Sequence, residues 1–96
     1  MKPEDVHSSN FTHHEVLFDK YGFSIAIGNW EDNPECPAIG MRWNESPDGR
    51  GYPKVFGHPQ WFIVENEIAI LLLSSLLGKV KNENRQKILK AIQDIL

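Results

Sequence analysis

The densest polar chemistry of the chain lies between Arg42 and His58. Arg42 and Arg50 each carry a planar fork of donors that fits a carboxylate, a phosphate or a carbonyl, and the amide of Asn44 adds a directional donor and acceptor. Asp48 can pair with Arg50 across a turn, and Tyr52 and Lys54 add an aromatic face and a mobile cation. His58 is the one imidazole here that could serve as a base. A base needs a nucleophile in reach and a group to orient it. Ser46 falls in a turn and Cys36 among prolines, so neither supplies the nucleophile. No helix follows Gly49 and Gly51, so they form no phosphate cradle. No catalytic residue is assigned. Arg42, Asn44, Asp48, Arg50, Tyr52, Lys54 and His58 are candidate binding residues.

A plainer reading competes at Arg42. Asn44 could close the turn with its own side chain while Arg42 pairs with Glu45 or Asp48, and because surface ion pairs are common this reading is favoured. Trp43 shares its face with Ile39 and Met41 and reads as core. His13 and His14, with His7 upstream, invite a metal. Adjacent residues on a strand point to opposite faces, so the pair cannot chelate one ion, and no metal or other cofactor is expected.

These residues sit in a stretch of unusual length. Asn44–Gln60, NESPDGRGYPKVFGHPQ, has three glycines, three prolines and no apolar period, and it joins AIGMRW to WFIV. Connections this long are uncommon inside a compact domain, and the prolines favour an ordered surface loop. Ser46-Pro47-Asp48-Gly49 reads as a β-turn.

The elements that must hold the loop are better patterned. Tyr21, Phe23, Ile25 and Ile27 alternate with Gly22, Ser24, Ala26 and Gly28, the period of a strand with all its bulk on one face. Ala38–Asn44 repeats the pattern, and Glu15–Phe18 is a shorter strand. Asp32-Asn33-Pro34 marks a turn. The bulky faces should meet a core, leaving a bare face that carries Ser24, Arg42 and Asn44 and is solvated or closely approached by a backbone or ligand. Trp61–Val64, apolar on both faces, reads as a well-covered strand. Asn66 can cap a helix that starts at Glu67 and is apolar almost all round through Leu77; Ile88, Leu89, Ile92 and Ile95 then form one stripe of a second helix. The fold expected is α+β, an antiparallel sheet of three or four strands with two C-terminal helices packed on one face. It forms a single domain over 1–96, with a loose N-terminus over 1–10, the ordered loop over 44–60 and a helical part over 67–96.

A helix apolar on every side must be covered on every side. Either the sheet and the last helix sandwich it, or the C-terminal helices self-associate into a homodimer. Charge bears on partners too. The net charge of −3 divides unevenly, with seven acids against two lysines up to Cys36 and five basic residues against two acids from Lys79 onward. An acidic total argues against nonspecific nucleic-acid binding. Tyr52, Phe56 and Trp61 with Arg50 and Lys54 fit a protein interface better, since arginine, tyrosine and tryptophan anchor interfaces. A single cysteine, the lack of an apolar leader in MKPEDVHSSN and the lack of any membrane-length apolar run point to the cytoplasm.

IGMRWN, a Gly/Pro-rich stretch and GHPQWFIV, taken in order, resemble a group of small bacterial and phage-borne proteins that share an RWN…GxP…GxPxWF pattern. No function is attached to that group. The resemblance covers about the central third of the chain and falls on Arg42, Trp43, Asn44, Gly51, Pro53, Gly57, Pro59, Trp61 and Phe62. The expected function is that of a small cytosolic protein-binding module (an inhibitor, an immunity-type antagonist or an accessory protein) using the 44–60 loop and the adjacent sheet face. The alternative is a small-molecule or nucleotide site, enzymatic or not, at Arg42, Asn44, Asp48, Arg50 and His58.

Overall fold

The computed structural model describes residues 1–96. Its strands are β1 (Phe11–Lys20), β2 (Phe23–Trp30), β3 (Pro37–Trp43), the two-residue β4 (Lys54–Val55) and β5 (His58–Pro59), and β6 (Phe62–Val64); helices α1 (Asn66–Leu76) and α2 (Asn82–Ile95) follow. A four-stranded antiparallel sheet in the order β1-β2-β3-β6 carries both helices on one face, the expected α+β architecture. A tight turn at Tyr21-Gly22, φ 57° and 77°, joins Lys20 to its partner Phe23. β1 is longer than its apolar pattern suggests. Register shifts between His13 and Glu15 and between Val16 and Phe18 break the alternation there, and such irregularities hide a strand from a period-two reading. β6 is an edge strand: it pairs with β3 alone, and Phe62 stays exposed.

Register explains the first core. Ile25 lies opposite Met41, Ile27 opposite Ile39, and Ile39 opposite Val64, so the bulky residues of three strands share one face. Leu17, Ile25, Ile39 and Val64 meet Ala69 and Leu73 of α1 and Ile88, Ala91 and Ile95 of α2, all buried. The cap of α1 is Glu65, whose carboxylate accepts the Ile68 N–H at 3.0 Å; Asn66 is already helical. The sandwich around α1 is incomplete. Ile68, Leu71 and Leu72 form an uncovered stripe, with Leu71 71% exposed.

The opposite face is not the solvated, partner-facing surface but the alternative, a face closely approached by other parts of the chain. Ser24, Ala26, Ala38 and Arg42 are all buried, and Val6, Phe11, Ala26, Ala38 and Trp61 form a second core. The bare face is therefore neither solvated nor open to a partner. Its small side chains make room for others: a Cβ on Gly40 would lie 3.1 Å from both the Phe11 ring and Trp61. Residues 1–10 are not loose either. Pro3–Asp5 forms a 3₁₀ turn, and Pro3 and Val6 are buried. The Trp61 indole donates to the Val6 carbonyl at 3.1 Å, and the Trp61 N–H donates to Ser8 Oγ at 2.7 Å. No helix is long and apolar enough to cross a membrane.

Candidate functional site

The long connection is built as two short pieces of ribbon. Past the end of β3, Trp43 and Tyr52 exchange backbone hydrogen bonds, each 2.8 Å, which close off 44–51 as a lobe. Inside it the Gly49 N–H reaches the Ser46 carbonyl at 2.9 Å, the i to i+3 bond of the expected turn. Lys54 opens the second piece, where β4 and β5 pair around a Phe56-Gly57 turn with φ of 49° and 77°. The Gln60 N–H returns to the Pro53 carbonyl at 3.0 Å. Main-chain pairing thus orders a segment that has no apolar period to reveal it.

Arg42 ties these pieces together from below. Its guanidinium is 1% exposed and donates to Asn44 Oδ1 at 3.1 Å, to the Gln60 carbonyl at 2.6 Å and to the Arg50 carbonyl. The Asn44 amide donates to Ser24 Oγ at 2.6 Å, and the Ser24 hydroxyl donates to Asp19 Oδ1 at 3.1 Å. Neither earlier view of Arg42 holds. It does not face an open surface, because that side of the sheet is filled. Nor does it pair with Glu45 or Asp48: the ion pairs are Lys54–Asp48, Lys87–Glu15 and Lys90–Asp94. Its three acceptors are neutral, and burial lowers its pKa. The group remains a cation at neutral pH.

Asp48 is the hub of the lobe's surface. It accepts from the Lys54 ammonium, from the Ser46 hydroxyl and, at 3.0 Å, from the Arg50 N–H, and these bonds hold its carboxyl well below the usual carboxylate range. A depressed folded-state pKa means the ties are complete above the unfolded value and lost only as pH falls through the lowered one. The Asp48 carboxyl resonance should therefore stay flat as pH falls from about 5 to about 3.9, the ordinary aspartate midpoint. Lys54→Ala should move the midpoint up toward that ordinary value. A wild-type midpoint near 3.9 would refute the bonding pattern.

The remaining candidates scatter. The Arg50 side chain donates to the Gly57 carbonyl at 3.1 Å, and it is the Arg50 backbone, not the guanidinium, that meets Asp48. His58 lies exposed on β5 with no side-chain hydrogen bond to orient it. Tyr52 is 49% exposed, with the Lys54 ammonium 5.4 Å from its ring centroid. No group of three or more His, Cys, Asp or Glu side chains gathers to hold a metal.

A cleft that the residue pattern does not announce lies beside Tyr52. Phe23, Met41, Trp43, Pro53 and Phe62 line it together with Arg42 and Lys54, around a volume of ≈ 630 Å³. Its origin is register. Phe23 faces Trp43 and Met41 faces Phe62, so one end of the sheet's helix face carries a patch of rings. Trp43 is 54% and Phe62 59% exposed, and the Phe23 and Trp43 rings meet edge-on at 4.8 Å. Trp43 does share a face with Met41 and Ile39, but it ends β3 and is left uncovered. The signal available in advance was an aromatic at the paired ends of two strands, Phe23 and Trp43. The chain matches no family model, no curated protein and no solved structure. The geometry alone bears on function.

Proposed function

We propose that this chain is a small protein-binding module, of the inhibitor, immunity-type or accessory kind, which presents the Asn44–Gln60 loop and the adjoining aromatic cleft to a protein partner. One observation carries the reading: Trp43, Tyr52 and Phe62 stand exposed around a single cleft. Aromatic side chains dominate interface energetics, and a contiguous exposed apolar patch marks an interaction site. Main-chain pairing and the bonds of Arg42 hold the cleft's loop wall before any partner arrives, so little ordering entropy remains to be lost on binding. The recognition surface thus lies on the helix side of the sheet. The pattern RWN…GxP…GxPxWF, in this proposal, describes how such a loop is built, with Arg42 beneath it and the prolines and glycines at its turns. A cytosolic setting belongs to the proposal and accords with Cys36, a free exposed thiol.

The alternative, a small-molecule or nucleotide site at Arg42, Asn44, Asp48, Arg50 and His58, has less in its favour. The polar groups of the first four are engaged by one another, by the main chain or by Ser24, Ser46 and Lys54, and of the five only Arg42 lines the cleft. Self-association is a separate proposal resting on α1. The stripe Ile68–Leu71–Leu72 fits the same stripe of a second copy packed antiparallel.

One set of variants tests both. In a pull-down from the native host read by mass spectrometry, Trp43→Ala/Tyr52→Ala should lose the wild-type partner while still folding with a cooperative melt, whereas His58→Ala and Leu71→Glu keep it. Light scattering should give a dimer mass for wild type and a monomer mass for Leu71→Glu. A partner retained by the double cleft variant would refute the module reading, and a monomeric wild type at high micromolar concentration would refute the dimer.

A further inference from the structure

The cleft is apolar with one cation at its rim, in a chain that is acidic overall. Arg42 and Lys54 line it and no carboxylate does, against a net charge of −3 for the whole protein. The two cations differ in kind. Arg42 borders the cleft through its place on β3 between Met41 and Trp43, while its guanidinium lies buried on the other face of the sheet with three neutral acceptors and offers the cleft no free donor. Lys54 stands at the mouth, its ammonium 5.4 Å from the Tyr52 ring centroid. Its partner Asp48 belongs to the lobe and does not line the cleft, and it is itself 39% exposed at the side chain, so a second carboxylate can join or replace it in solvent.

Resting on the module reading above, we infer that the cleft takes an acidic peptide segment bearing an aromatic side chain. The ring lies against Trp43, Tyr52 and Phe62, and a neighbouring carboxylate meets Lys54. Edge-to-face packing of the kind Phe23 already makes with Trp43 suits the ring. A single-stranded nucleic acid would also find rings to stack on, but it needs a basic groove that follows its backbone, and the cleft offers one rim cation. A local acid satisfies that cation, whereas a run of phosphates would leave most of its charge unmatched.

The test titrates isotope-labelled protein with three capped peptides of equal length, each with a central phenylalanine flanked by glutamates, by glutamines or by lysines, and with oligothymidylate. Amide shifts of Trp43, Tyr52, Lys54 and Phe62 report the site. The glutamate peptide should bind about tenfold more tightly than the glutamine peptide, and the lysine peptide more weakly still. Lys54→Gln should bring the glutamate-to-glutamine ratio to about one while leaving the glutamine peptide's affinity unchanged, and Lys54→Arg should restore it. Equal affinities with shifts confined to the cleft would overturn the acidic assignment and leave the module reading standing. Tighter binding of oligothymidylate would overturn the peptide assignment. No shift at these residues with any peptide would overturn the inference, and the capture experiment would then decide the module reading by itself.

Discussion

Arg42→Ala should lower the melting temperature by about 12–24 °C, for a loss of about 3 kcal/mol at about 4–8 °C per kcal/mol in a domain of this size. Three acceptors lose their donor together: Asn44 Oδ1, the Gln60 carbonyl and the Arg50 carbonyl. An unsatisfied buried acceptor costs about 1–3 kcal/mol, and the two carbonyls are part-buried and recover some hydration, which sets the total near the low end for three groups. Against it stands the relief of no longer burying an unpaired charge, a saving that is real but incomplete because the cavity left behind also costs. With a total stability of about 5–14 kcal/mol for 96 residues, the loss is a large fraction of the whole. Arg42→Met keeps the apolar stem and should recover about 1 kcal/mol of the packing while leaving the acceptors bare. Circular dichroism melts decide the matter. If Arg42 served a ligand instead, the alanine variant would melt within about 8 °C of wild type, the effect of about 1 kcal/mol or less.

The same residue shows where the sequence was readable and where it was not. Alternation in Phe23–Gly28 and Ala38–Trp43 reports a backbone geometry that two neighbouring residues determine, so those strands and their bulky face were legible. What covers the other face depends on Val6, Phe11 and Trp61 arriving from distant parts of the chain, and no local pattern carries that. Small residues at Ala26, Ala38 and Gly40 are equally consistent with open solvent and with close approach. Arg42 stands out in the sequence for its donors, but the direction those donors face follows from the second core and not from the type of residue. The loop was legible as ordered because its prolines limit the chain. Its ribbons were not, because Trp43–Tyr52 pairing and the β4–β5 turn rest on main-chain bonds that any side chain can make. α1 is apolar almost all round in sequence, and its composition cannot say which side the sheet and α2 leave uncovered.

Gly51→Ala should be comparably damaging, for a reason that can be separated from Arg42 and then joined to it. Gly51 has φ of +71°, and a Cβ there would lie 2.0 Å from the Trp43 carbonyl oxygen, 2.5 Å from Arg42 Nη2 and 2.9 Å from the Asn44 carbonyl carbon. The left-handed backbone costs an alanine about 1–2 kcal/mol. The overlap adds about 1–3 kcal/mol, because the struck oxygen is main chain and already accepts the Tyr52 N–H at 2.8 Å. Gly49 supplies the control. It has φ of +76° but nothing within 4 Å of an added Cβ, so Gly49→Ala should show the conformational cost of about 1–2 kcal/mol alone. The excess at Gly51 measures how closely the lobe is folded onto β3, and since Tyr52 must shift to relieve the clash, the peptide titration should weaken along with the melt. Both Gly51→Ala and Arg42→Ala open the same junction, so the double variant should be less destabilised than the sum of the singles by about 1–2 kcal/mol. Additivity within about 0.5 kcal/mol would mean that the loop and its buried cation are independent. A rigid wall for the cleft requires the opposite: that Arg42, the Trp43–Tyr52 pair and Gly51 fail together.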